Sequence, residues 1–422
     1  MPILRNASVP SAMLGRPGSG LERVDIAVAD GLINAITPHQ PGPGRDLEGG
    51  LVLPAFVDMH THLDKGQIWP RKPNPDGTWI GALLAVQTDR DGLWSKADVG
   101  RRMDFALRTA YAHGTAAIRT HLDSIPPQQL ISWDLFAEVR DAWRGRIELQ
   151  AVALIHADCI LDPAQLDAVA RKAKEFGGLL GGAVMSDPRA KQAMLKLVEK
   201  AGESGLDIDV HADETGDPGS DTLERLAEAV LETGYTGRVT AGHCCALTAQ
   251  DEATQQRTID KVARAGIAIV SLPMCNMYLQ DRDADGRTTP VRRGVTLLKE
   301  LRAAGVRVAI ASDNTRDPFY AYGDLDALEV LREGARILHF DHPRDAAWSW
   351  AGTVAYDAAA IAGFDYTAQL AAGASADLVM FRARTWTELL SRPQADRQVM
   401  RRGELIDTTL PDYRELDDLM EA

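Results

Sequence analysis

Short apolar runs recur through the middle of the chain, and each is followed by a segment rich in Ala, Leu, Glu, Lys and Arg. Buried strands that alternate with helices predict a parallel sheet. Eight such strands favour a (β/α)8 barrel over an open doubly wound sheet. The predicted barrel strands are residues 51–59, 116–119, 147–154, 179–184, 208–210, 239–241, 267–272 and 306–311. Predicted helices between them include residues 164–176, 221–232, 251–265 and 294–304.

Both ends of the chain have a strand-like pattern instead. Residues 24–36 alternate in places and are interrupted by Asp30-Gly31, which is a hairpin signal. Residues 377–381 are typical of a buried strand, and residues 398–406 of two strands joined by a glycine turn. The pattern therefore predicts a small sheet domain that the two termini share.

Composition narrows the class of protein. The chain has 46 Lys and Arg against 60 Asp and Glu, and the resulting net charge of −14 disfavours phosphate backbones and anionic membranes as partners. No apolar stretch in the sequence is long enough for a membrane span, and the start Met-Pro-Ile-Leu-Arg-Asn lacks a signal-peptide pattern. Four cysteines are too few for a disulfide framework. We therefore expect a cytoplasmic protein with no nucleic-acid or membrane partner.

The first predicted barrel strand ends in a His-x-His motif, His60-Thr61-His62. Residues two apart on a strand share a face, so both imidazoles point the same way at the end of the barrel where such enzymes hold their chemistry. Two imidazoles on one face suit a divalent metal. Taken alone, the motif is weak evidence for a metal, because two surface or hydrogen-bonding histidines are the commoner explanation.

Three more predicted strands end in residues of the same kind. His211 and Glu214 follow the fifth strand, His243 the sixth and Asp313 the eighth. Any one of them is explained by a turn or a helix cap, but chance is a poor explanation for all of them at one barrel mouth. We therefore expect a metal site whose ligands are His60, His62, His211 and Asp313.

These residue types predict hydrolysis. Three neutral imidazoles and one carboxylate leave a divalent metal with net positive charge, which lowers the pKa of a bound water from ~15.7 toward ~7. Asp313 is suited both to bind the metal and to accept the proton of that water. Glu214 is near enough to pass a proton to the substrate, and His243 to hydrogen-bond the attacking or the developing oxygen.

The motifs resemble the amidohydrolase superfamily and, within it, the bacterial cytosine deaminase group. The resemblance implies a distorted (β/α)8 TIM barrel with a β-sandwich formed by both termini. It divides the chain into residues 1–50 plus 368–422 for the sandwich and residues 51–367 for the catalytic barrel. The segments that carry the resemblance are residues 53–65, 211–214, 237–243, 278–282, 290–294, 312–319 and 376–379.

The resemblance also implies chemistry. Members of the group use one divalent metal per subunit, Fe(II) or Zn(II), and hydrolyse exocyclic C–N bonds of nitrogen heterocycles. Members of the superfamily with two metals use a carboxylated lysine at the end of strand four, whereas residues 179–186 contain no lysine. A mononuclear site is therefore expected. The resemblance assigns metal binding and proton transfer to the same six residues: His60, His62, His211, Asp313, Glu214 and His243.

The predicted substrate pocket departs from the cytosine deaminase pattern. His156 stands where that group carries a glutamine, Asn314 where it carries a second aspartate, and Phe319 where it carries a tryptophan. A neutral imidazole nitrogen offers either a donor or an acceptor, whereas a glutamine amide offers both. The Asp313-Asn314 pair, together with Lys65, is similar to enzymes that remove alkylamines from s-triazine rings. The identity of the heterocycle is therefore left open.

Three further residues have more than one interpretation. His121 either lines the pocket, orients a metal ligand or makes an ordinary hydrogen bond. Lys65 either binds an anionic group or pairs with Asp58 or Asp64. Trp79 lies in a long segment after the first strand, which is either a lid or a solvated loop with packed aromatics. The predicted substrate-binding residues are His156, Asn314, Phe319, His121 and Lys65.

The sequence thus predicts a metal-dependent aminohydrolase whose partner is a small nitrogen heterocycle and which releases ammonia or an amine. One alternative is an amidohydrolase that opens a cyclic amide. The other is a non-catalytic binding module, against which the intact ligand set argues. Members of the superfamily are often oligomeric, and a homo-oligomer is left open.

Overall fold

The computed structural model describes residues 3–343, 345 and 347–421. It contains one eight-stranded parallel sheet and two four-stranded sheets. The strands before the barrel are β1 Ile3–Pro10, β2 Leu21–Ala29, β3 Leu32–Pro38, β4 Arg45–Asp46 and β5 Val52–Pro54. The barrel strands are β6 Phe56–Thr61, β7 Thr115–Asp123, β8 Glu148–Leu154, β9 Leu179–Val184, β10 Ile208–Ala212, β11 Val239–His243, β12 Ala268–Ser271 and β13 Val308–Ile310. The strands after it are β14 Leu378–Met380, β15 Gln398–Arg401 and β16 Glu404–Leu405.

Helices connect the barrel strands and cover the sheet. Their ends follow local chemistry: Asp162 accepts a hydrogen bond from the backbone of Ala164 at the start of α5, and Gly266 closes α8 with φ +67°. The helices are α1 Trp79–Leu93, α2 Lys96–His113, α3 Gln129–Trp143, α4 Ala157–Leu161, α5 Pro163–Glu175, α6 Ala190–Ser204, α7 Thr222–Thr233, α8 Glu252–Ala265, α9 Pro273–Leu279, α10 Leu298–Ala303, α11 Ala327–Leu338, α12 Tyr356–Ala362, α13 Trp386–Ser391 and α14 Asp417–Met420.

The eight parallel strands form a barrel that is nearly closed. Strands β6 to β13 are neighbours in chain order, and each pairs in parallel with the next. A parallel bridge between Thr61 and Asp313 joins the last strand to the first, and the Asp313 N–H donates to the carbonyl of His60 at 2.9 Å. The predicted (β/α)8 barrel is confirmed, and closure brings both ends of the sheet to one seam.

Two small sheets come from the termini of the chain. One has the strand order β3-β2-β1-β4, and the other has the order β16-β15-β14-β5. In the second sheet β5 pairs antiparallel with β14, with Leu53 opposite Val379. Strands from both ends of the chain thus share a sheet, as the pattern predicts, whereas the residue limits of the two domains stay a prediction.

The predicted first barrel strand, residues 51–59, is wrong as a single element. The structure divides it at Ala55: its N–H donates to the carbonyl of Asp377 in the terminal sheet, whereas the N–H of Phe56 donates to Gly114 beside the barrel. The whole run is buried, so hydrophobicity does not reveal where the backbone changes its partner sheet.

The predicted helix over residues 294–304 is too long. Only α10, Leu298–Ala303, is helical. Gly294 has φ +74°, and a Cβ there would lie 2.5 Å from the carbonyl oxygen of Asn276. Two backbone segments therefore pass very close to each other here, and the residue is not part of a helix. Among the described residues, no helix combines the length and apolar character needed to cross a membrane.

Candidate active site

Three imidazoles and a carboxylate converge where β6, β10 and β13 end. His60 lies in β6 and His62 just after it, His211 lies in β10, and Asp313 follows β13. The Nε2 atom of His211 is 3.2 Å from Nε2 of His60 and 3.1 Å from Nε2 of His62. Oδ1 of Asp313 lies 3.2 Å from Nε2 of His62 and 3.6 Å from Nε2 of His60. All four side chains are buried.

This donor set fits a divalent metal ion. Neither carboxylate oxygen of Asp313 has a hydrogen-bond partner among the described residues, and an unpaired buried carboxylate is costly unless a cation compensates it. Burial raises the pKa of Asp313, and burial holds the pKa of all three imidazoles well below 6.5. Neutral imidazoles and one carboxylate are the ligands that divalent transition metals take in proteins.

His243 lies at the edge of the same cluster. The donor atoms of His60, His211, His243 and Asp313 all lie within 4.8 Å of one another. The Nε2 atom of His243 has no hydrogen-bond partner among the described residues, whereas its Nδ1 atom is 2.9 Å from the amide nitrogen of Asn276. With that amide donating to Nδ1, the imidazole proton sits on Nε2. Burial lowers the pKa of His243 to about 3, so the ring is neutral near pH 7.

Glu214 is held by residues from distant parts of the chain. The indole N–H of Trp79 donates to its Oε2 at 2.8 Å, and its Oε1 lies 3.4 Å from Nδ1 of His243. The side-chain amide of Gln280 donates to the backbone carbonyl of Glu214 at 3.1 Å. Burial, and next the charge of Asp313, raise the pKa of Glu214 above its ordinary 4.5. The carboxyl group therefore keeps its proton at higher pH than an exposed glutamate does.

The backbone is strained at two of these positions. His243 and Asp313 have φ values of +68° and +66°, a left-handed conformation that costs a residue with a Cβ roughly 1–3 kcal/mol. At Asp313 the hydrogen bond to the carbonyl of His60 holds the strained turn in place. Strain of this kind persists where the surrounding structure fixes it, and it turns each side chain out of the path of its strand.

A cavity of about 150 Å³ opens beside the cluster. Lys65 lies with its ammonium 5.0 Å from the centre of the Phe319 ring, which is a cation–π contact. Asn314 donates from its amide to Oδ2 of Asp317 at 2.7 Å. The polar residues that line the cavity include His62, Lys65, His156, His211, Glu214, His243, Asp313 and Asn314.

Both alternative partners of Lys65 accept hydrogen bonds from other residues, although Oδ1 of Asp64 has no partner among the described residues. Oδ1 of Asp58 accepts the backbone N–H of Ser312 at 3.2 Å, and Oδ2 of Asp64 accepts that of Asp123 at 2.8 Å. Lys65 itself is buried among the residues that line the cavity. Its ammonium lies over the ring of Phe319, which also lines the cavity, and from there it can contact a bound molecule.

Two predicted pocket residues lie elsewhere than the pattern suggests. His156 is not the end of a strand, because β8 ends at Leu154 and His156 occupies the N-cap position of the short helix α4. It is exposed at the rim of the cavity. His121 is wholly buried within β7 and packs behind His60, with ring centroids 4.1 Å apart and the ring planes tilted by 37°. It supports a cluster residue from behind instead of lining the cavity.

Asp209 lies close to His121 but does not extend the metal site. Donor atoms of His60, His121 and Asp209 lie within 4.8 Å of one another. The carboxylate of Asp209, however, accepts a hydrogen bond from Arg119 at 2.7 Å. The guanidinium already neutralises this carboxylate, and its charge opposes a cation beside it.

Helix α1 covers the cavity. Trp79 at its first turn bonds Glu214, and Leu83 and Val86 face the cavity from the next turns. Of the two predicted interpretations of this segment, the structure has a cover packed on the mouth. Asn276 lies in no motif of the sequence, whereas Gln280 and Asp317 lie in segments that carry the resemblance but were given no role. The contacts of all three are made across the barrel mouth.

The barrel and the buried His/Asp cluster define a class of hydrolase, and sequence comparison identifies it. The family model described as the amidohydrolase family matches residues 139–407. A pterin deaminase of Rhizobium rhizogenes (strain K84) is 55% identical over 428 residues, which cover 100% of this chain and 97% of the relative. The chain belongs to the amidohydrolase family.

Further relatives and solved structures agree with this assignment. An N-isopropylammelide isopropyl amidohydrolase of Pseudomonas sp. (strain ADP) is 25% identical over 352 residues, covering 80% of this chain and 81% of the relative. The 5-methylcytosine deaminase of Klebsiella pneumoniae superposes with a TM-score of 0.84 at 26% identity, covering 97% of this chain and 98% of its own. The N-isopropylammelide isopropylaminohydrolase of Burkholderia multivorans superposes with a TM-score of 0.77 at 26% identity, covering 97% and 100%.

The protein is therefore a metal-dependent hydrolase that acts on C–N bonds other than peptide bonds, in cyclic amidines. The predicted superfamily, barrel fold and reaction class are confirmed.

Proposed function

We propose that this enzyme removes the exocyclic amino group of a pterin ring and releases ammonia, with one Zn(II) or Fe(II) ion per subunit. The observation that carries the proposal is the 55% identity to a pterin deaminase over the whole chain. Lower identities, near 25%, link the chain to enzymes named for smaller rings, cytosine and ammelide. Cytosine itself is disfavoured by His156, Asn314 and Phe319, which depart from the cytosine deaminase pattern.

In this proposal His60, His62, His211 and Asp313 hold the ion. Their donor atoms lie 3.1–3.6 Å apart in the measured pairs, and the oxygens of Asp313 have no other partner among the described residues. The ion, when bound, supplies Lewis acidity that lowers the pKa of a water molecule. Asp313 accepts the proton that this water loses as its oxygen attacks the ring carbon bearing the amino group.

Glu214 supplies the second proton transfer. Its raised pKa keeps it protonated near neutral pH, so it donates to the ring nitrogen beside the attacked carbon. The neutral His243, with its proton on Nε2, donates a hydrogen bond to the oxygen that joins the ring. The C–N bond then breaks, and the departing amino group takes the proton held by Asp313. The new hydroxyl group on the carbon returns its proton to Glu214 as it becomes a carbonyl.

The remaining residues bind and enclose the ring. Phe319 and Trp79 meet edge to face with ring centroids 5.9 Å apart, and together they provide an apolar wall for a flat heterocycle. Lys65 and Asn314 supply donors to carbonyl or ring-nitrogen acceptors of the substrate, and His156 contacts the ring at the outer rim. His121 stiffens His60 from behind. Helix α1 excludes water from the closed site.

An ammonia-release assay tests the proposal. Purified protein supplied with Zn(II) or Fe(II) is incubated with pterin, cytosine or N-isopropylammelide, and the products are analysed by mass spectrometry. We expect ammonia release from pterin, with the ring intact, at a kcat/KM at least tenfold above that for cytosine. Ring opening instead of ammonia release would support the cyclic-amide alternative, and a preference for cytosine would contradict the pterin assignment.

We also propose that the protein is located in the cytoplasm. All four cysteines are free and buried, which suits the reducing cytoplasm. The partner we propose is the small heterocycle alone, without nucleic acid or membrane, because of the net charge of −14. A homo-oligomer stays a prediction that size-exclusion chromatography with light scattering tests directly.

A further inference from the structure

A second group of metal-ligating side chains adjoins the proposed catalytic ion. Glu214, Cys275 and Asp313 each offer one donor atom, and these three atoms lie within 4.8 Å of one another. All three residues are buried, at 6%, 0% and 0% exposure. Glu214 and Asp313 also line the cavity, so a small ion that enters with solvent reaches two of the three members of this group.

Each of the three side chains has a donor atom to spare. Oδ1 of Asp313 faces the histidines, yet both of its oxygens lack a hydrogen-bond partner among the described residues. Oε2 of Glu214 accepts the Trp79 indole N–H, which leaves Oε1 at 3.4 Å from His243. The Cys275 thiol bonds weakly from Sγ to the amide oxygen of Asn314 at 3.4 Å.

The chemistry of this group selects the kind of ion. A thiolate beside two carboxylates prefers zinc or cadmium to magnesium or calcium, which bind oxygen ligands alone. Tetrahedral zinc bonds of ~2.0–2.3 Å separate ligand atoms by roughly 3.3–3.8 Å. Donor atoms within 4.8 Å of one another therefore need to approach by at most about 1–1.5 Å.

We propose that Glu214, Cys275 and Asp313 form a second, inhibitory site for a thiophilic divalent cation such as Zn²⁺ or Cd²⁺. The inference rests on the proposed function, in which Glu214 is the proton donor. Binding breaks the S–H bond of Cys275, and this proton and that of Glu214 leave to solvent. Asp313 then bridges the two ions, one through each oxygen. Glu214 no longer delivers a proton to the ring, and turnover stops.

Titration with Cd²⁺ tests the inference. The holoenzyme with one equivalent of Zn²⁺ receives further Cd²⁺ while the near-ultraviolet thiolate-to-metal absorption and ammonia release are both recorded. We expect one added equivalent to produce the absorption band and to lower activity at least tenfold. Cys275→Ser should lose both the band and the inhibition and keep the activity of the one-zinc enzyme. Cys275→Ala, which removes the sulfur without adding a polar group, should behave in the same way.

Cys245→Ser is the matched control. This cysteine is also buried but is not part of the group of three, so the variant should keep both the band and the inhibition. A band or an inhibition that survives in both Cys275 variants would overturn the inference, as would a wild-type enzyme that Cd²⁺ does not inhibit. A Cys275-dependent band in an enzyme that deaminates no heterocycle would support the cation site and contradict the proposed function.

Discussion

At the scale of single residues, Asp313 combines three structural features of the candidate site. Its backbone N–H closes the barrel seam, its Oδ1 faces the imidazoles of His60 and His62, and its backbone is strained at φ +66°. Because the proposed mechanism gives Asp313 metal binding and proton transfer in addition to barrel closure, we expect it to tolerate no conservative replacement. Glu214 has a different proposed role. That role depends on a single proton and on the hydrogen bonds that set the pKa of the carboxyl group.

Asp313→Asn should abolish turnover in a folded protein. The amide keeps the volume of the carboxyl group but neither accepts the proton of water nor balances the charge of the metal. We expect kcat to fall by at least about 10³-fold, measured by ammonia release, with circular dichroism unchanged. Asp158→Asn, at an exposed carboxylate on the rim, is the control and should retain activity. Activity of Asp313→Asn within tenfold of wild type would remove the mechanism.

Trp79→Phe should move the alkaline limb of the pH profile of kcat/KM. The indole N–H stabilises the ionised form of Glu214, so its loss raises the pKa of Glu214 further. Because the protonated form is the active one, activity then persists to higher pH. One hydrogen bond to a charged group corresponds to a shift of about one pH unit.

A second tryptophan provides the control for this shift. Trp94 donates its indole N–H to Oδ2 of Asp89, also at 2.8 Å, and neither residue lines the cavity. Trp94→Phe therefore removes an equivalent hydrogen bond without touching Glu214, and its pH profile should match the wild type. An alkaline limb that stays in place, or moves to lower pH, in Trp79→Phe would exclude Glu214 as the proton donor.

At the scale of elements, period-two spacing and the geometry of parallel strands predicted most of the cluster. Because the carboxyl ends of the barrel strands share one mouth, the sequence alone predicted that His60, His211, His243 and Asp313 lie together. The contacts of Trp79 and Asn276 were out of reach, because they come from helices whose approach depends on the whole barrel. The division of the predicted strand at Ala55 was not predicted for a related reason: the residues of this run are equally buried in both sheets.

Gly242→Ala should weaken metal binding. This glycine lies in β11, and a Cβ there would sit 2.8 Å from Cε1 and 3.0 Å from Nδ1 of His60. The imidazole must therefore move away from the other ligands, and we expect the dissociation constant for zinc to rise about tenfold or more. Competition with a chromogenic chelator measures it. Gly202→Ala, whose nearest neighbour is a Tyr235 atom at 3.7 Å, should bind zinc like the wild type.

At the scale of the whole molecule, the buried carboxyl groups link stability to pH and to the metal. Burial raises the pKa of Asp313 and Glu214 above their ordinary values of 3.8 and 4.5. The metal-free folded state thus binds these protons more tightly than the unfolded chain does. As pH rises from about 4, the unfolded chain ionises first, and the free energy of unfolding falls.

Metal removal should therefore matter more at higher pH. Zinc binds ionised Asp313, so binding strengthens as protons leave, whereas the metal-free protein loses stability. We expect the difference in Tm between zinc-loaded and chelator-treated protein to widen from about pH 5 to about pH 8, measured by scanning calorimetry. Asp313→Asn should narrow it. A difference that shrinks as pH rises would show that these carboxyl groups are ionised without the metal.

The seam between Thr61 and Asp313 also bears on protein synthesis. The proposed ligands span the chain from residue 60 to residue 313, and the last of them arrives with the strand that closes the barrel. A nascent chain on the ribosome offers at most three of the four donors until nearly three quarters of it has been made. Coordination by all four proposed ligands therefore requires the first and last barrel strands to meet, so an ion bound by all four indicates a completed barrel.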